Sequence, residues 1–348
     1  METKNPVIKS ILETRLTTLN DMLETSAPRG DGKGTYIQPK RQNAAVVTLV
    51  LAREIISPFV CRNENEETTD IDVPGLSDGM PRARAVANKF KFGERGAGLR
   101  LLREYNAGGA CAQNRTAVPK GGKASDVFDM NTALFGDSMN LDSKVLPVRA
   151  GVSYSDALSV APKDSVEGRT FHIASAEEGT LWEQEDKKNS SNLFNRIFLK
   201  PGTILLQTLT IRGKVLPQEA LEHLLLAMGS ASSAGGQTSI YSTNIKTHLL
   251  GVYGGKIEKP MNSPYELLVA LEKGGIDLSN ASIGDIAQKT HELFSAIYPD
   301  SVDRAAAEEW REGLLSAYES EDAEIAALYD RAKKGFKVYF DGYFGNGK

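Results

Sequence analysis

Residues 44–52, AAVVTLVLA, are almost all β-branched or aliphatic, which is the pattern of a central strand buried on both faces. Further along the chain, apolar residues recur at helical spacing from Ala220 to Met228, behind a proline that suits a first helical position. The elements predicted in the middle of the chain follow in this order: strand 44–52, helix 97–105, strand 148–154, strand 203–212, helix 217–228 and strand 246–253.

This β-α-β-β-α-β order is the ferredoxin-like arrangement of RNA-recognition folds. We therefore expect an α+β protein with a ferredoxin-like, RRM-type core sheet over residues 44–255. Two insertions interrupt that core. The glycine-rich stretch 106–133 lacks periodicity and is predicted as a long loop, and two extended segments around a polar tip at 165–200 predict a long hairpin.

Helical patterns flank the core on both sides. Apolar residues on one side of 6–25 predict an amphipathic helix, and an exposed basic loop follows it, so residues 1–43 are expected to form an N-terminal helix and loop. Residues 256–348 predict a helical C-terminal region packed on the core. Its predicted elements are helices 265–273, 283–298, 302–318 and 321–333 and a last extended stretch at 336–340.

Composition narrows the class of protein. With 348 residues, of which 41% are hydrophobic, the chain can bury a proper core. No apolar run is long enough to span a bilayer and the charged start METKNPVIKS does not fit a secretory signal, so we expect a cytoplasmic protein without a membrane partner. Cys61 and Cys111 show no metal-ligand spacing with the four histidines, so we expect reduced thiols, no metal and no cofactor.

The net charge of −4 hides an uneven distribution of charge. Residues 82–123 contain ten basic residues against two acidic ones, a segment charge of +8. Residues 300–330 contain ten acidic residues against two basic ones, a segment charge of −8. The basic segment is typical of a protein that binds a polyanion, because neutralising phosphates releases counterions. A solvated face with ordinary salt bridges explains the same counts.

A loop of small residues, SASSAGGQTS, follows the helix at 217–228. Gly235 and Gly236 let a backbone or a phosphate approach closely, and Gln237, Thr238 and Ser239 offer hydrogen-bond donors. The order helix, loop, strand differs from the strand, loop, helix order of a nucleotide-binding fingerprint. A loop that merely caps the helix is the alternative interpretation.

Four short motifs in fixed order carry a resemblance to a known family. They are LFGDS at 134–138, the segment 149–157 with Arg149 and SDA, FLKPGT at 198–203, and the glycine pair after the last core helix. In this order the chain resembles the backbone subunit of CRISPR effector complexes, in the repeat-associated mysterious protein superfamily. The runs TLVLAREIISP and NKFKFGERGAGLRLL are most similar to the type I-D Cascade backbone protein, and the resemblance covers residues 44–255.

Two departures from the family pattern accompany this resemblance. Family members usually have Ser-Arg before the strand that leads to Asp-Ala, whereas this chain has Val148-Arg149-Ala150-Gly151. Some relatives carry a cysteine cluster in the long loop, where this chain has Cys111 alone. We therefore expect that metal site to be absent.

The resemblance implies a protein that binds RNA and does not catalyse. Copies would assemble head to tail along a CRISPR guide RNA, with other Cascade subunits, in an antiviral ribonucleoprotein. Each palm would grip the RNA backbone, and the hairpin at 165–200 would act as a thumb that displaces one base at regular intervals. The bases between stay open for pairing with target DNA or RNA, so the protein recognises backbone and shape.

Candidate RNA contacts follow from charge and backbone access, because a phosphate needs a cation or an N–H and no particular base. Phe90 and Phe92 alternate with lysines, which favours a half-buried strand over base stacking. Leu181 and Trp182 are an apolar pair at the hairpin tip, predicted as the thumb wedge or as a contact to the next copy. The predicted phosphate contacts are Arg53, Lys89, Lys91, Arg95, Arg115, Lys120, Lys123 and Arg149, with backbone groups of Gly235, Gly236, Gln237, Thr238 and Ser239.

Two other functions compete with this interpretation. Relatives in type III complexes cut bound RNA with an aspartate near the first strand, and Asp70 and Asp72 lie in that region of this chain, so a guide-bound ribonuclease is the alternative. No histidine or lysine stands near them as a general acid, and EETTDID is also typical of a solvent-facing stretch. A metabolic enzyme on the same fold would need a convergent set of titratable groups, which the sequence does not show.

Overall fold

The protein forms a mixed α/β fold in which helices cover both faces of an antiparallel sheet. The computed structural model describes residues 5–28, 35–39, 44–61, 70–109, 128–141, 144–173, 175–176, 179–180, 182–183, 188–189, 193–236 and 242–343.

Eighteen strands occur in this described part. In chain order they are β1 (Leu23–Pro28), β2 (Thr35–Pro39), β3 (Val46–Ile55), β4 (Asp70–Ile71), β5 (Arg82–Ala85), β6 (Asp137–Leu141), β7 (Lys144–Val148), β8 (Val152–Tyr154), β9 (Ala157–Pro162), β10 (Glu167–Ile173), β11 (Ser175–Ala176), β12 (Gly179–Thr180), β13 (Trp182–Glu183), β14 (Lys188–Asn189), β15 (Leu193–Leu199), β16 (Ile204–Arg212), β17 (Ile245–Gly255) and β18 (Asp300–Val302).

The α-helices are α1 (Pro6–Arg15), α2 (Asn88–Glu104), α3 (Met130–Phe135), α4 (Lys163–Val166), α5 (Gln218–Ser230), α6 (Pro264–Lys273), α7 (Ile283–Ser295), α8 (Arg304–Glu319) and α9 (Ala323–Tyr343). Two short 3₁₀ helices span Leu19–Asp21 and Pro260–Asn262. No helix in the described part of the chain combines the length and the apolar character needed to cross a bilayer.

The main sheet is organised around β3, as its apolar sequence predicts. Its strand order is β18-β17-β3-β16-β9-β5-β4, and β8 also pairs with β16. β16 runs antiparallel to β3 from Ile204 opposite Glu54 to Arg212 opposite Val46, and β17 pairs with the other edge of β3. Every residue of β3 except Glu54 is buried. A strand paired on both edges and covered on both faces needs the unbroken apolar run found here.

The two faces of the sheet pack against different helices. Leu49 and Leu51 belong to a core formed with α1, α2, α5, α8 and α9. Val50 and Ala52 point to the opposite face, where they pack with α6 and α7. Because successive side chains of a strand alternate between faces, one strand contributes to both cores. The second face of the sheet is therefore covered by protein.

The hairpin expected over 165–200 is present at its base. β10 and β15 pair antiparallel from Glu167 opposite Leu199 to Ile173 opposite Leu193. Between them, β11 pairs with β12 and β13 pairs with β14.

Two helices differ from the predicted bounds. The helix predicted over 6–25 ends at Arg15, because Leu16 is extended and the Thr17 N–H donates a 3.0 Å hydrogen bond to the Leu216 carbonyl. The helix predicted over 97–105 begins at Asn88. The alternation of phenylalanine and lysine at 89–92 therefore lies on a helix, and the prediction of a strand there is wrong.

Two further predictions are corrected at the other end of the core. Residues 336–340 are part of α9, because Phe336 and Phe340 lie one helical turn apart and both rings pack against Phe128. The stretch 106–133, predicted as a loop, ends in helix α3. Asp129 caps that helix by accepting a 2.9 Å hydrogen bond from the Thr132 N–H.

Candidate nucleic-acid interface

Three separate stretches of the chain meet where β3 ends. Beyond Ile55, the backbone of Phe59 exchanges hydrogen bonds of 3.1 and 2.8 Å with Leu199, the last residue of β15. The next carbonyl, that of Val60, accepts a 2.9 Å hydrogen bond from the Gly236 N–H. The base of the hairpin and the glycine loop are therefore attached to one short segment. We call this region, with residues 56–61, 197–203, 231–236 and the first turns of α2, the β3 end.

The ring of Phe59 connects α2 to the β3 end. Phe59 stacks on Phe90 of α2 with ring centroids 5.8 Å apart and an interplanar angle of 10°, and both side chains are buried. A Cβ atom on Gly93 would lie 3.0 Å from the Ser233 carbonyl oxygen, so α2 approaches the glycine loop at backbone distance. Gly235 adopts a φ of +82°, which a residue with a side chain rarely adopts. The structure thus brings the glycine pair and the start of α2 to one place.

Two lysines on the first turns of α2 have no acidic partner in the part of the chain that the structure describes. Lys89 and Lys91 are half-buried, and among the described residues no carboxylate forms an ion pair with either of them. Burial lowers the pKa of Lys91, and the positive charge of Arg95 lowers it further. A partly desolvated ammonium group without a countercharge is stabilised by an anion. These lysines are therefore suited to a phosphate group.

Phe92 directly follows Lys91 in sequence and is 54% exposed. Its neighbour Phe90 is 2% exposed. The helix therefore divides the two rings, with one packed in the core and the other presented to solvent. Proteins that bind single-stranded nucleic acid commonly combine cations, which contact phosphates, with exposed aromatic rings, on which bases stack.

The structure corrects the prediction that Arg53 contacts phosphate. Arg53 is 1% exposed, and its Nη1 atom forms a 2.5 Å ion pair with the Oε1 atom of Glu94. The guanidinium also donates to Gln207 Oε1 at 2.8 and 3.0 Å and lies 4.9 Å from the ring centroid of Phe90. Tyr154 donates its hydroxyl proton to the second oxygen of Glu94. Arg53, on β3, therefore holds α2 to the sheet through buried contacts with Glu94 and Phe90, and it is too buried to reach RNA.

The excess charge of the basic segment is partly neutralised by acids from elsewhere in the chain. Arg95 forms an ion pair with Asp137, at the start of β6. Arg82, which is fully buried, pairs with Asp78 at 2.7 Å. Arg84 pairs with Asp156 at 3.7 Å. The segment charge of +8 therefore overstates the positive field that this part of the surface presents.

Arg149 lies apart from the other candidates. It is exposed and lines a cavity with Val46 and Arg212, which are the first residue of β3 and the last residue of β16. That cavity is at the opposite end of β3 from Gly235. The structure therefore does not bring Arg149 together with the lysines of α2.

The remaining candidates lie outside the described residues. For Trp182 the structure describes the backbone, which forms β13, and not the side chain. The candidates not described at all are Arg115, Lys120, Lys123, Leu181, Gln237, Thr238 and Ser239.

Sequence reasoning missed three exposed residues at or beside the β3 end. Ile56 is 43% exposed directly after β3, and Lys200 is exposed in the turn that follows β15. Lys246, near the start of β17, is exposed and has no acidic partner among the described residues. The position of Lys200 within the FLKPGT motif was the available signal for that residue. Lys246 is the exposed residue of the otherwise buried strand β17, and its position beside the β3 end follows from the pairing of β17 with β3, which the sequence does not reveal.

The candidate nuclease residues are placed at the far edge of the sheet. Asp70 opens the edge strand β4, while Asp72 is exposed. The carboxylate of Asp70 pairs with Lys163 at 2.9 Å, so the expectation that no lysine stands near these aspartates is wrong. The hydrogen bond from Lys163 lowers the pKa of Asp70. Within the described residues, no three His, Cys, Asp or Glu side chains are grouped so that they could hold a metal ion.

Comparisons with known proteins bear on this arrangement. Among solved structures, the crystal structure of Thermofilum pendens Csc2 is similar with a TM-score of 0.60 and 14% identity, over 99% of this chain and 100% of that one, which shows a shared fold. A chain of a CRISPR RNA-guided surveillance complex aligns with a TM-score of 0.45 and 12% identity, over 72% of this chain and 85% of that one. A chain of such a complex before nicking gives 0.44 and 12%, over 73% and 90%.

No curated protein matches the sequence. The family model described as Csc2 CRISPR matches residues 35–327, which include the main sheet, α2, the hairpin and the glycine loop. The match extends well beyond the four motifs and covers most of the chain. The chain belongs to the Csc2 CRISPR family.

Proposed function

We propose that the protein is a non-catalytic subunit of a CRISPR effector complex and holds a guide RNA at the β3 end. One observation carries this proposal. Three features that are far apart in sequence lie around the same segment: the glycine pair at 235–236, the base of the β10–β15 hairpin, and Lys89 and Lys91, which have no acidic partner among the described residues. Family membership supports a role in CRISPR defence.

In this proposal the RNA backbone, and not the base sequence, is recognised. Lys89 and Lys91 neutralise phosphates, and the backbone at Gly235 and Gly236 allows a sugar-phosphate strand to approach closely. Phe92 offers a face on which any base can stack. Since none of these contacts distinguishes one base from another, base pairing between guide and target DNA or RNA supplies the specificity.

The fold supports a palm and a thumb. The strands β17, β3, β16 and β9 lie side by side, with α2 and α5 packed on one face, and this arrangement supports the proposal of a ferredoxin-like palm. The opposite face is covered by α6 and α7, so bases cannot stack on the sheet as they do in an RRM. The RNA would instead follow the β3 end, beside the hairpin as thumb. Copies joined head to tail and other subunits of a type I-D-like Cascade complete the proposed assembly.

We also propose that the protein does not cleave the RNA that it binds. Asp70 is engaged by Lys163, and its lowered pKa makes it a poor general base. Incubation of bound RNA with magnesium is expected to leave the RNA intact. Regularly spaced fragments that disappear in Asp70→Asn or Asp72→Asn would instead establish the ribonuclease function.

The affinity for single-stranded RNA, measured at several salt concentrations, tests whether the protein contacts the RNA phosphates. Affinity is expected to fall steeply with salt, and the variant Lys89→Ala/Lys91→Ala is expected to bind at least about tenfold more weakly. Its log–log salt slope is expected to be shallower by about 1.4, which corresponds to two lost phosphate contacts on a single strand. Lys333→Ala/Lys334→Ala on exposed positions of α9 is the matched control and is expected to bind normally. Equal affinity and slope in both double variants would contradict the proposal.

A further inference from the structure

A cavity of about 390 Å³ lies at the end of the sheet opposite to the β3 end. It is bordered by the first residue of β3, Val46, and by residues of the segment 148–153, the turn after β16 and helix α9. The volume falls within the range of small-molecule sites in proteins. None of the RNA contacts proposed above at the β3 end contributes to this cavity.

One wall of the cavity is aromatic and aliphatic. Phe128 and Tyr339 both line it, and their rings stack with centroids 5.7 Å apart and an interplanar angle of 17°. Val46 and Val148 add aliphatic surface. A wall of this kind is suited to a flat heterocycle, because aromatic and aliphatic side chains pack against its face.

The cavity is also lined by cationic side chains. Arg149 and Lys256 line it, both are exposed, and within the described part of the chain neither has an acidic partner. Arg212 also lines the cavity, but it is occupied by Glu258 at 2.5 and 2.6 Å and by Ser153 Oγ at 2.7 Å. This ion pair neutralises the acid that would otherwise repel an anion. Among the described residues, two positive charges of this cavity therefore remain without a countercharge.

We propose that this cavity binds a nucleoside phosphate, with the base against Phe128 and Tyr339 and the phosphate at Arg149 and Lys256. A heterocycle that carries a dianionic group has a partner for both the aromatic and the cationic lining residues. An apolar ligand would leave the cations unused, and a free phosphate would leave the aromatic wall unused. The ligand is a free mononucleotide or the phosphorylated end of an RNA strand, since both present the same chemistry.

Calorimetric titration of the full chain with AMP, UMP, adenosine and inorganic phosphate tests the site. A mononucleotide is expected to bind at least about tenfold more tightly than adenosine or phosphate. Arg149→Ala and Lys256→Ala are each expected to weaken mononucleotide binding by about tenfold, the loss typical of one charge-assisted contact. Arg100→Ala and Lys333→Ala remove exposed cations outside the cavity and are expected to have no effect.

The source of the ligand is tested by competition in the Lys89→Ala/Lys91→Ala background, which weakens the proposed guide-RNA surface. A short RNA with a 5′-phosphate that displaces a fluorescent AMP better than its 5′-hydroxyl counterpart identifies an RNA end, and displacement by free AMP alone identifies a mononucleotide. The inference is overturned if about 1 mM mononucleotide produces no binding heat, if adenosine or phosphate binds as tightly, or if the control variants lose as much affinity as Arg149→Ala. These outcomes are independent of guide binding, which is measured at Lys89 and Lys91.

Discussion

A Cβ atom placed on Gly235 would lie 3.0 Å from the ring of Phe59 and 2.7 Å from the carbonyl oxygen of Val60. The glycine loop is thus held against the segment that follows β3 at a distance that leaves no room for a side chain. Phe59 in turn stacks on α2. Position 235 therefore links the geometry of the loop to that of the cationic helix.

Gly235→Ala is expected to destabilise the protein by about 1–3 kcal/mol, because alanine is strained at a φ of +82° and overlaps Val60. RNA affinity is expected to fall with it. Gly236→Ala is the matched control, since a Cβ there meets nothing closer than 3.6 Å. Urea unfolding and RNA titration of both variants check the prediction. Equal effects of the two substitutions would show that the loop is not held as described.

The buried pair Arg53 and Glu94 is expected to be structural. Arg53→Met leaves a buried carboxylate without its cation, so a loss of about 3–5 kcal/mol of stability is expected. Arg53→Met/Glu94→Leu is expected to cost less than the sum of the single changes, because it leaves no unpaired charge. A denaturant double-mutant cycle measures this coupling. If Arg53→Met folds normally and loses RNA binding instead, Arg53 contacts RNA after all.

His223 is expected to make stability depend on pH. It is fully buried between Tyr329 and Asn131, and burial lowers its pKa to about 3. Between that value and the ordinary pKa of about 6.5, the unfolded chain binds a proton that the folded protein does not. This contribution is complete above about pH 6.5 and is lost towards pH 3 at up to about 1.4 kcal/mol per pH unit.

Unfolding measured at several pH values between 7 and 4 checks this prediction. His223→Gln is expected to be less stable at pH 7 and to lose less stability on acidification than the native chain. Parallel curves for the two proteins would show that the imidazole accepts a proton in the folded state.

Phe92→Ala is expected to weaken binding of single-stranded RNA by about tenfold, in line with the loss of one stacked base. Because Phe92 is exposed, stability is expected to change by less than about 0.5 kcal/mol. Val338→Ala, at an exposed position of α9, is the control for loss of apolar surface. Fluorescence anisotropy with normal and abasic RNA measures the effect, which should vanish on abasic RNA. An unchanged affinity for normal RNA would remove Phe92 from the site.

Periodicity predicted the central elements well, because a strand covered on both faces and an amphipathic helix each leave a strong pattern. Periodicity does not predict the environment of Arg53, because an arginine at the end of an apolar run is normally exposed. β3 in fact continues to Ile55, which places Arg53 beneath α2. It failed at 89–92 because alternation over four residues fits a strand and the first turn of a helix equally well.

Separations along the sheet could not be predicted from sequence. Arg149 and Gly235 both belong to motifs of the family resemblance, yet they lie at opposite ends of β3. The distance between Arg149 and Gly235 depends on the direction in which each strand runs in the sheet. No local sequence pattern predicts that direction. The partners of Arg95 and Arg84 are likewise set by tertiary packing, so segment charge overestimated the cationic surface.

Photo-crosslinking of the protein to a 4-thiouridine-containing single-stranded RNA, followed by mass spectrometry, shows which residues contact the guide RNA. We expect crosslinked peptides from the start of α2 around Lys89 to Phe92 and from the loop that contains Gly235, with both strongly reduced in Lys89→Ala/Lys91→Ala. Crosslinks confined to α6 and α7, or to the end of the sheet at Arg149, would contradict the claim that the β3 end holds the guide RNA.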